Sequence, residues 1–561
     1  MALADPAAAV LLPNPGFEQA GKGGVDRFAN TGYAAPQGPQ YLGAPDGWSI
    51  YQWGSPMESR YNVTVESGVS HSGASSLRAQ NVDNTARGGV YAHPKLEEGT
   101  YELSVWTKAE PGKIGKIAIY LASAYSRPFK VKDEWTRIVF SNVVSEPVDA
   151  AEINIQNTSG IDTVIWFDDI ELRRVSTAKY MLVPDTRETR PRTLLFSPMN
   201  INYLRDTAKM WGERGFGGFL FDGVMWDSAS DVWAADADAK SRGEDDKLLQ
   251  ELKSCNAECR KYGIDSNFVK VAFYTELPDW FDDAAWEKIT ENYRQGARFA
   301  KMSGCAGVAI DTEYMARQYE PGWEGYQKNP HDLPVLKAKI RDRWLAITEG
   351  MLREFPDMVL LTLPEGMLYY GELYFDVFTG MLEGMAEANA PGGLHLMTEG
   401  TYQMRDVGGL AVFPEQLNAV ITEESAERPA EYWRERCSVV MGVWPLGYYR
   451  AINDENGKFI DWSGKEEVFG NEIVGSYADK SEWYPPEEFN AQMAGVNTFC
   501  PRYNWIYGHG NVFFQWTEEQ MAKYKQGAHQ SFGNALLPTA KNLDAYLAII
   551  AKPMRVVKEI E

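Results

Sequence analysis

The stretch GVAIDTEYM at 307–315 is an apolar run that ends in two carboxylates, Asp311 and Glu313, followed by Tyr314. Strand side chains alternate with period two, so Val308 and Ile310 face one way while Ala309, Asp311 and Glu313 face the other. Two like charges in one low-dielectric pit raise the proton affinity of at least one, and a proton held near neutral pH is what a general acid needs. Acids recur at the ends of other candidate strands, at Asp222, Glu276, Glu365 and Glu399, behind strand bodies almost free of charge. Glu313 is the expected acid/base. Its partner is Glu399 or Glu365, with Glu399 slightly preferred, and Asp311 completes the expected catalytic set. Asp222 and Glu276 are expected to hydrogen-bond ligand hydroxyls. Basic residues able to neutralise these acids are few, with Arg317, Arg405, Arg450 and Arg502 as the candidates.

Aromatic residues crowd the same strand ends: Trp226, Tyr274, Tyr314, Tyr402, Trp444, Tyr503 and Trp505. A pyranose ring presents an apolar C–H face that stacks on an aromatic ring, and Tyr and Trp add a polar handle. Two carboxylates across an aromatic-lined cleft suit cleavage of a glycosidic bond, one protonating the leaving oxygen and the other serving as nucleophile or as base for water. The expected partner is therefore a carbohydrate. A non-catalytic sugar-binding protein on a degenerate barrel is the alternative. A lyase needs charge neutralisation beside a uronate, which an acid-rich mouth opposes.

The totals exclude other classes. The formal charge of −23, from 78 acids against 55 bases, repels phosphate backbones and anionic membranes. No window approaches the roughly 18 apolar residues of a membrane span. Six His and five Cys show no zinc spacing, so no cofactor is expected for catalysis. Cys255 and Cys259 are neighbours on a helix, a spacing that rarely gives disulfide geometry.

These groups need elements to position them. Residues 10–175 alternate with period two between Gly, Pro, Asn and Asp punctuation, the pattern of an all-β jelly-roll sandwich. Polar residues 176–191 read as a linker. From 192 to 561 strands and helices alternate, and eight strands over this length are the count of a (β/α)8 TIM barrel. The expected strands are 192–198, 216–223, 269–276, 305–313, 358–365, 394–402, 438–444 and 494–503. An insertion at about 445–485 precedes the last of them, and a helix at 517–532 follows.

LLPNPGFEQ, DGWSI, HSGASSLRA, YELSVWTKA and WFDDIEL resemble the carbohydrate-binding-module type of jelly roll over about 165 residues. The resemblance implies a structural calcium held through Glu18 and Asp168, as hard cations take oxygen ligands. The second region resembles barrel-type glycoside hydrolases. Its D-x-E is similar to the end of the chitinase-like motif, in which the first acid orients an acetamido group and the second is the proton donor. Ala306 and Ala309 replace the two earlier acids of that motif, so N-acetyl-assisted hydrolysis does not carry over. The N-E pair of cellulase-like barrels is also absent. The terminus MALADPAAAV has no charged n-region or long apolar stretch; a secreted or periplasmic location, with a signal segment absent from this chain, is expected.

Overall fold

A computed structural model of the chain describes residues 8–10, 12–21, 38–53, 61–81, 87–159, 163–196, 200–222, 243–272, 277–312, 331–368, 373–404, 406–445, 485–508 and 543–559. The chain divides into two compact units. One comprises Met1–Leu182, Met404–Val420 and Val556–Glu561; the other comprises Val183–Gln403 and Ile421–Arg555.

The first unit is an antiparallel sandwich. One sheet runs Thr136–Val144, Gly99–Ala109, Val164–Ser176, Ser75–Asn81, Tyr61–Ser67, Tyr41–Gly43, with Ala8–Val10 also on Val164–Ser176. The other runs Phe129–Val131, Gly115–Leu121, Ile153–Asn157, Arg87–Ala92, Ser49–Trp53. Period-two alternation drives the packing: Tyr101, Leu103 and Val105 turn inward beside Ile119, Ile155 and Phe167, while Thr100, Glu102 and Trp106 face out. The segment Met404–Val420 belongs to this unit too. Gln416 accepts the Arg127 N–H at 2.8 Å, Ser145 donates to Asp406 at 3.2 Å, and Val412 packs on the sandwich core. Tyr180–Pro184, inside the range expected as linker, is a strand paired with Met554–Lys558.

The second unit is a closed parallel barrel. We number its strands β1 (Arg192–Phe196), β2 (Phe216–Asp222), β3 (Phe268–Ala272), β4 (Gly307–Asp311), β5 (Val359–Leu363), β6 (Leu394–Thr398), β7 (Ser438–Val443) and β8 (Tyr503–Tyr507). Side chains that fill the interior include Leu194, Leu220, Phe268, Ala309, Leu361, Met397, Val440 and Trp505. Amphipathic helices form between the strands, with Asn200, Asp246 and Asp282 each accepting a backbone N–H at a helix start.

One expected element moves. Residues 494–503 were expected as the last strand, but Pro486–Phe499 is an α-helix and β8 is YNWIY. Pro at the first helical position and acids in the first turn favour that helix start, and a short apolar run does not by itself distinguish a strand from a buried helix. Residues 446–484 and 517–532 lie outside the described residues.

Candidate active site

The C-terminal end of the barrel gathers acids from three consecutive strands. Asp311 closes β4, Glu365 follows β5 after the cis Leu363–Pro364 bond, and Glu399 follows β6. Asp222 closes β2, but its side chain lies outside the described residues. So do Glu313, Tyr314, Trp226, Tyr274 and Glu276 entirely.

Asp311 lies inward as the alternation predicts, in phase with the core residue Ala309. Its partner is a cation that sequence reasoning missed. Lys270 Nζ lies 3.1 Å from Asp311 Oδ2, with the two side chains 0 % and 5 % exposed. The same ammonium stands 4.2 Å from the centroid of Phe196. Lys270 was legible as the lone cation in phase with Phe268 on an apolar strand. Of the four expected cations, Arg502 sits just before β8, at the opposite end of the barrel. There it donates to Gly392 O at 2.7 Å and to His395 Nε2 at 3.2 Å. Burial and this guanidinium push the His395 imidazole down to about 3, so it is a neutral structural group. Arg317, Arg405 and Arg450 lie outside the described residues.

Thr312 is held from several directions. Its N–H and hydroxyl both donate to Leu363 O at 2.9 Å. The Tyr374 hydroxyl donates to Thr312 O at 2.9 Å and lies 2.6 Å from Thr312 Oγ1. The point at which the chain leaves β4 is therefore tied to β5 and to helix Tyr374–Glu387.

Glu365 and Glu399 meet directly. Glu365 Oε2 accepts the Glu399 N–H at 2.8 Å and Oε1 accepts the Gly400 N–H at 2.6 Å. These donors open the 3-10 turn Gly400–Gln403, where exposed N–H groups favour an anion. Burial nonetheless holds the Glu365 carboxyl above the usual carboxylate range, outweighing the two N–H bonds. Glu365 is 5 % exposed, whereas Glu399 is half-buried.

The expected aromatic residues separate into two levels. Tyr402 and Trp444 lie at the acid-bearing end, with centroids 5.6 Å apart. Tyr507, which sequence reasoning missed, joins them, 6.0 Å from Tyr402 and 5.1 Å from Trp444. Trp505 is buried within β8, 5.5 Å from Tyr402. Tyr503 was expected after the last strand. It is the first residue of β8 instead, packed 5.9 Å from Phe268 and 5.4 Å from His395 at the far end. The one-helix shift of β8 explains the change of level.

In the sandwich, Glu18 and Asp168 are both spent on backbone donors. Glu18 Oε1 accepts the Ala74 N–H at 2.9 Å, and Asp168 Oδ2 accepts those of His71 and Ser72 at 2.7 and 3.1 Å. The strand slips register between Asp168 and Glu171, and Asp169 takes φ 45°, so Asp168 is turned inward at this bulge. Burial, with Asp169 beside it, raises Asp168 to about 6. A cation would relieve that crowding, and carboxylate oxygens are the donors calcium prefers. Among the described residues no group of three or more His, Cys, Asp or Glu is arranged to hold a metal, so carbonyl or water oxygens would have to complete a shell of roughly six to eight.

Among the described residues no helix is long and apolar enough to cross a membrane. No protein-family model matches the chain, and no curated protein does. Among solved structures, the chain is similar to the CBM22-1-GH10 modules of a Clostridium thermocellum endo-1,4-β-D-xylanase complexed with xylohexaose, at 14 % identity and a TM-score of 0.29, covering 91 % of this chain and 95 % of that one. A family-61 carbohydrate-binding module in complex with β-1,4-galactotriose matches at 16 % identity and a TM-score of 0.21, over 30 % of this chain and 99 % of its own. A putative sugar-binding protein from Bacteroides thetaiotaomicron matches at 15 % identity and a TM-score of 0.21, over 29 % of this chain and 99 % of its own. Likeness at this level carries no information about activity.

Proposed function

We propose that the barrel unit is a glycoside hydrolase acting on a poly- or oligosaccharide, with the sandwich as an accompanying sugar-binding-type module. One observation carries this: Asp311, Glu365 and Glu399 arrive from β4, β5 and β6 at one end of a closed barrel, the end that also holds the ring cluster of Tyr402, Trp444 and Tyr507. Functional groups of such barrels collect at this end. Glu365 is committed to two backbone N–H groups, and Asp311 to Lys270. The reacting pair we propose is therefore Glu313 and Glu399, with Glu365 positioning Glu399 through its main chain. A calcium bound through Glu18 and Asp168, and a secreted or periplasmic location, accompany this proposal.

A non-catalytic sugar-binding protein is favoured by the same sealed Asp311–Lys270 pair, since it withdraws one candidate acid from chemistry. Hydrolysis of a panel of polysaccharides and aryl glycosides separates the two. Turnover by the wild type that disappears in Glu313→Gln and Glu399→Gln supports the hydrolase. Saturable sugar binding without any product supports the binding protein.

A further inference from the structure

The interior of a parallel barrel is ordinarily filled by branched apolar side chains, and a buried ion pair there commonly costs stability against an apolar replacement. Lys270 and Asp311 are such a pair, fully enclosed by protein. They are also offset along the barrel axis. Lys270 is in register with Ala309, two residues short of Asp311, and Asp311 is in register with Ala272 and Leu363 at the strand ends. The Lys270 backbone therefore lies one layer deeper than that of Asp311, and its ammonium stands over the ring of Phe196.

We propose that Lys270 is a positioning residue of the site: its ion pair fixes the Asp311 carboxylate at the mouth end of β4. This rests on the hydrolase proposal and gives Asp311 a part other than proton transfer. A glycosidic bond breaks through an oxocarbenium-like transition state, which carries positive charge at the anomeric carbon. A preorganised carboxylate near that centre stabilises the developing charge without reorganising when the bond breaks. The same carboxylate makes a nearby carboxylic acid hold its proton more tightly, as a general acid requires. Other acids near the pair are Glu365 and Glu399 beyond β5 and β6; Asp222 is in backbone register with Lys270 on β2, and its side chain lies outside the described residues.

The test compares wild type, Lys270→Arg, Lys270→Met, Asp311→Asn and the Lys270→Met/Asp311→Asn double variant with an aryl glycoside that the wild type cleaves. Lys270→Met leaves Asp311 buried without its cation and so inclined to take up a proton. Its kcat is expected to fall by roughly a hundredfold at pH 5 with KM within about threefold, and to recover as pH rises and Asp311 ionises. The double variant loses activity without that recovery, and Lys270→Arg retains most of it. Parallel pH profiles for Lys270→Met and the double variant overturn the proposal. Melting temperatures supply a reading that needs no substrate. The melting temperature of Lys270→Met falls, relative to the double variant, as pH rises from 5 to 8, because the folded state must then hold a buried anion that has lost its lysine. If the wild type cleaves nothing in the panel, the hydrolase proposal fails, and the proposed state of Asp311 is judged by that slope. A flat difference in melting temperature overturns it.

Discussion

The carboxylate of Glu365 holds the backbone N–H of Glu399 at 2.8 Å, so two acids contributed by neighbouring strands form a clamp and its load rather than a symmetrical pair. Glu365→Ala removes the acceptor for two part-buried donors and should cost about 1 kcal/mol of unfolding free energy in urea titration. It should also lower kcat far more than it raises KM, because Glu399 loses its placement and not its carboxylate. A variant with full kcat would separate Glu365 from the site.

Asp168 makes the stability of the sandwich depend on pH. Its carboxyl is raised to about 6 in the folded state against an ordinary value of 3.8, so the folded chain binds this proton more tightly than the unfolded one. The sign follows: this group's contribution to stability falls as pH rises from about 4 to about 6. Asp168→Asn should remove that slope from melting temperatures recorded across the range. If calcium occupies this corner, millimolar calcium at pH 7 should raise the wild-type melting temperature and leave Asp168→Asn unmoved.

Tyr374 ties down the exit of β4 through its hydroxyl. Tyr374→Phe should cost about 1 kcal/mol, as one buried hydrogen-bonding group is withdrawn. Peptide-level hydrogen exchange should accelerate in the segment around Thr312, whose N–H donates to Leu363 O, and remain unchanged in the sandwich strands. Uniform acceleration across the chain would point to general destabilisation instead.

Gly408 lies where a side chain has no room. A Cβ there would stand 1.9 Å from Val143 O and 3.0 Å from the carbonyl carbon of Val143, both rigid backbone atoms of the first unit. Gly408→Ala should therefore destabilise this unit by about 1–3 kcal/mol, read as an earlier melting transition. An unchanged transition would mean that the helix Val407–Glu424 can shift without cost.

Much of the architecture was legible because two periodicities dominate the text. Period-two alternation marks Gly99–Ala109 as a half-buried strand, and alternating strand and helix patterns mark the barrel. The inward direction of Asp311 followed from the same parity. The level of Tyr503 did not, because AGVNTFCPRY reads as a buried strand although its first six residues end a helix. Lys270 is hard to read from sequence because a single cation inside an apolar strand has no spacing that names its partner. The commitment of Glu365 to the Glu399 and Gly400 amides depends on where a 3-10 turn falls in space, which linear spacing does not encode.

The segment Met404–Val420 counts with the sandwich although it sits between the sixth and seventh barrel strands in the chain. Neither unit is thus written as one uninterrupted run of codons. A single recombination junction near 182 could not graft the sandwich onto a foreign enzyme intact, because part of it would stay behind in the donor gene.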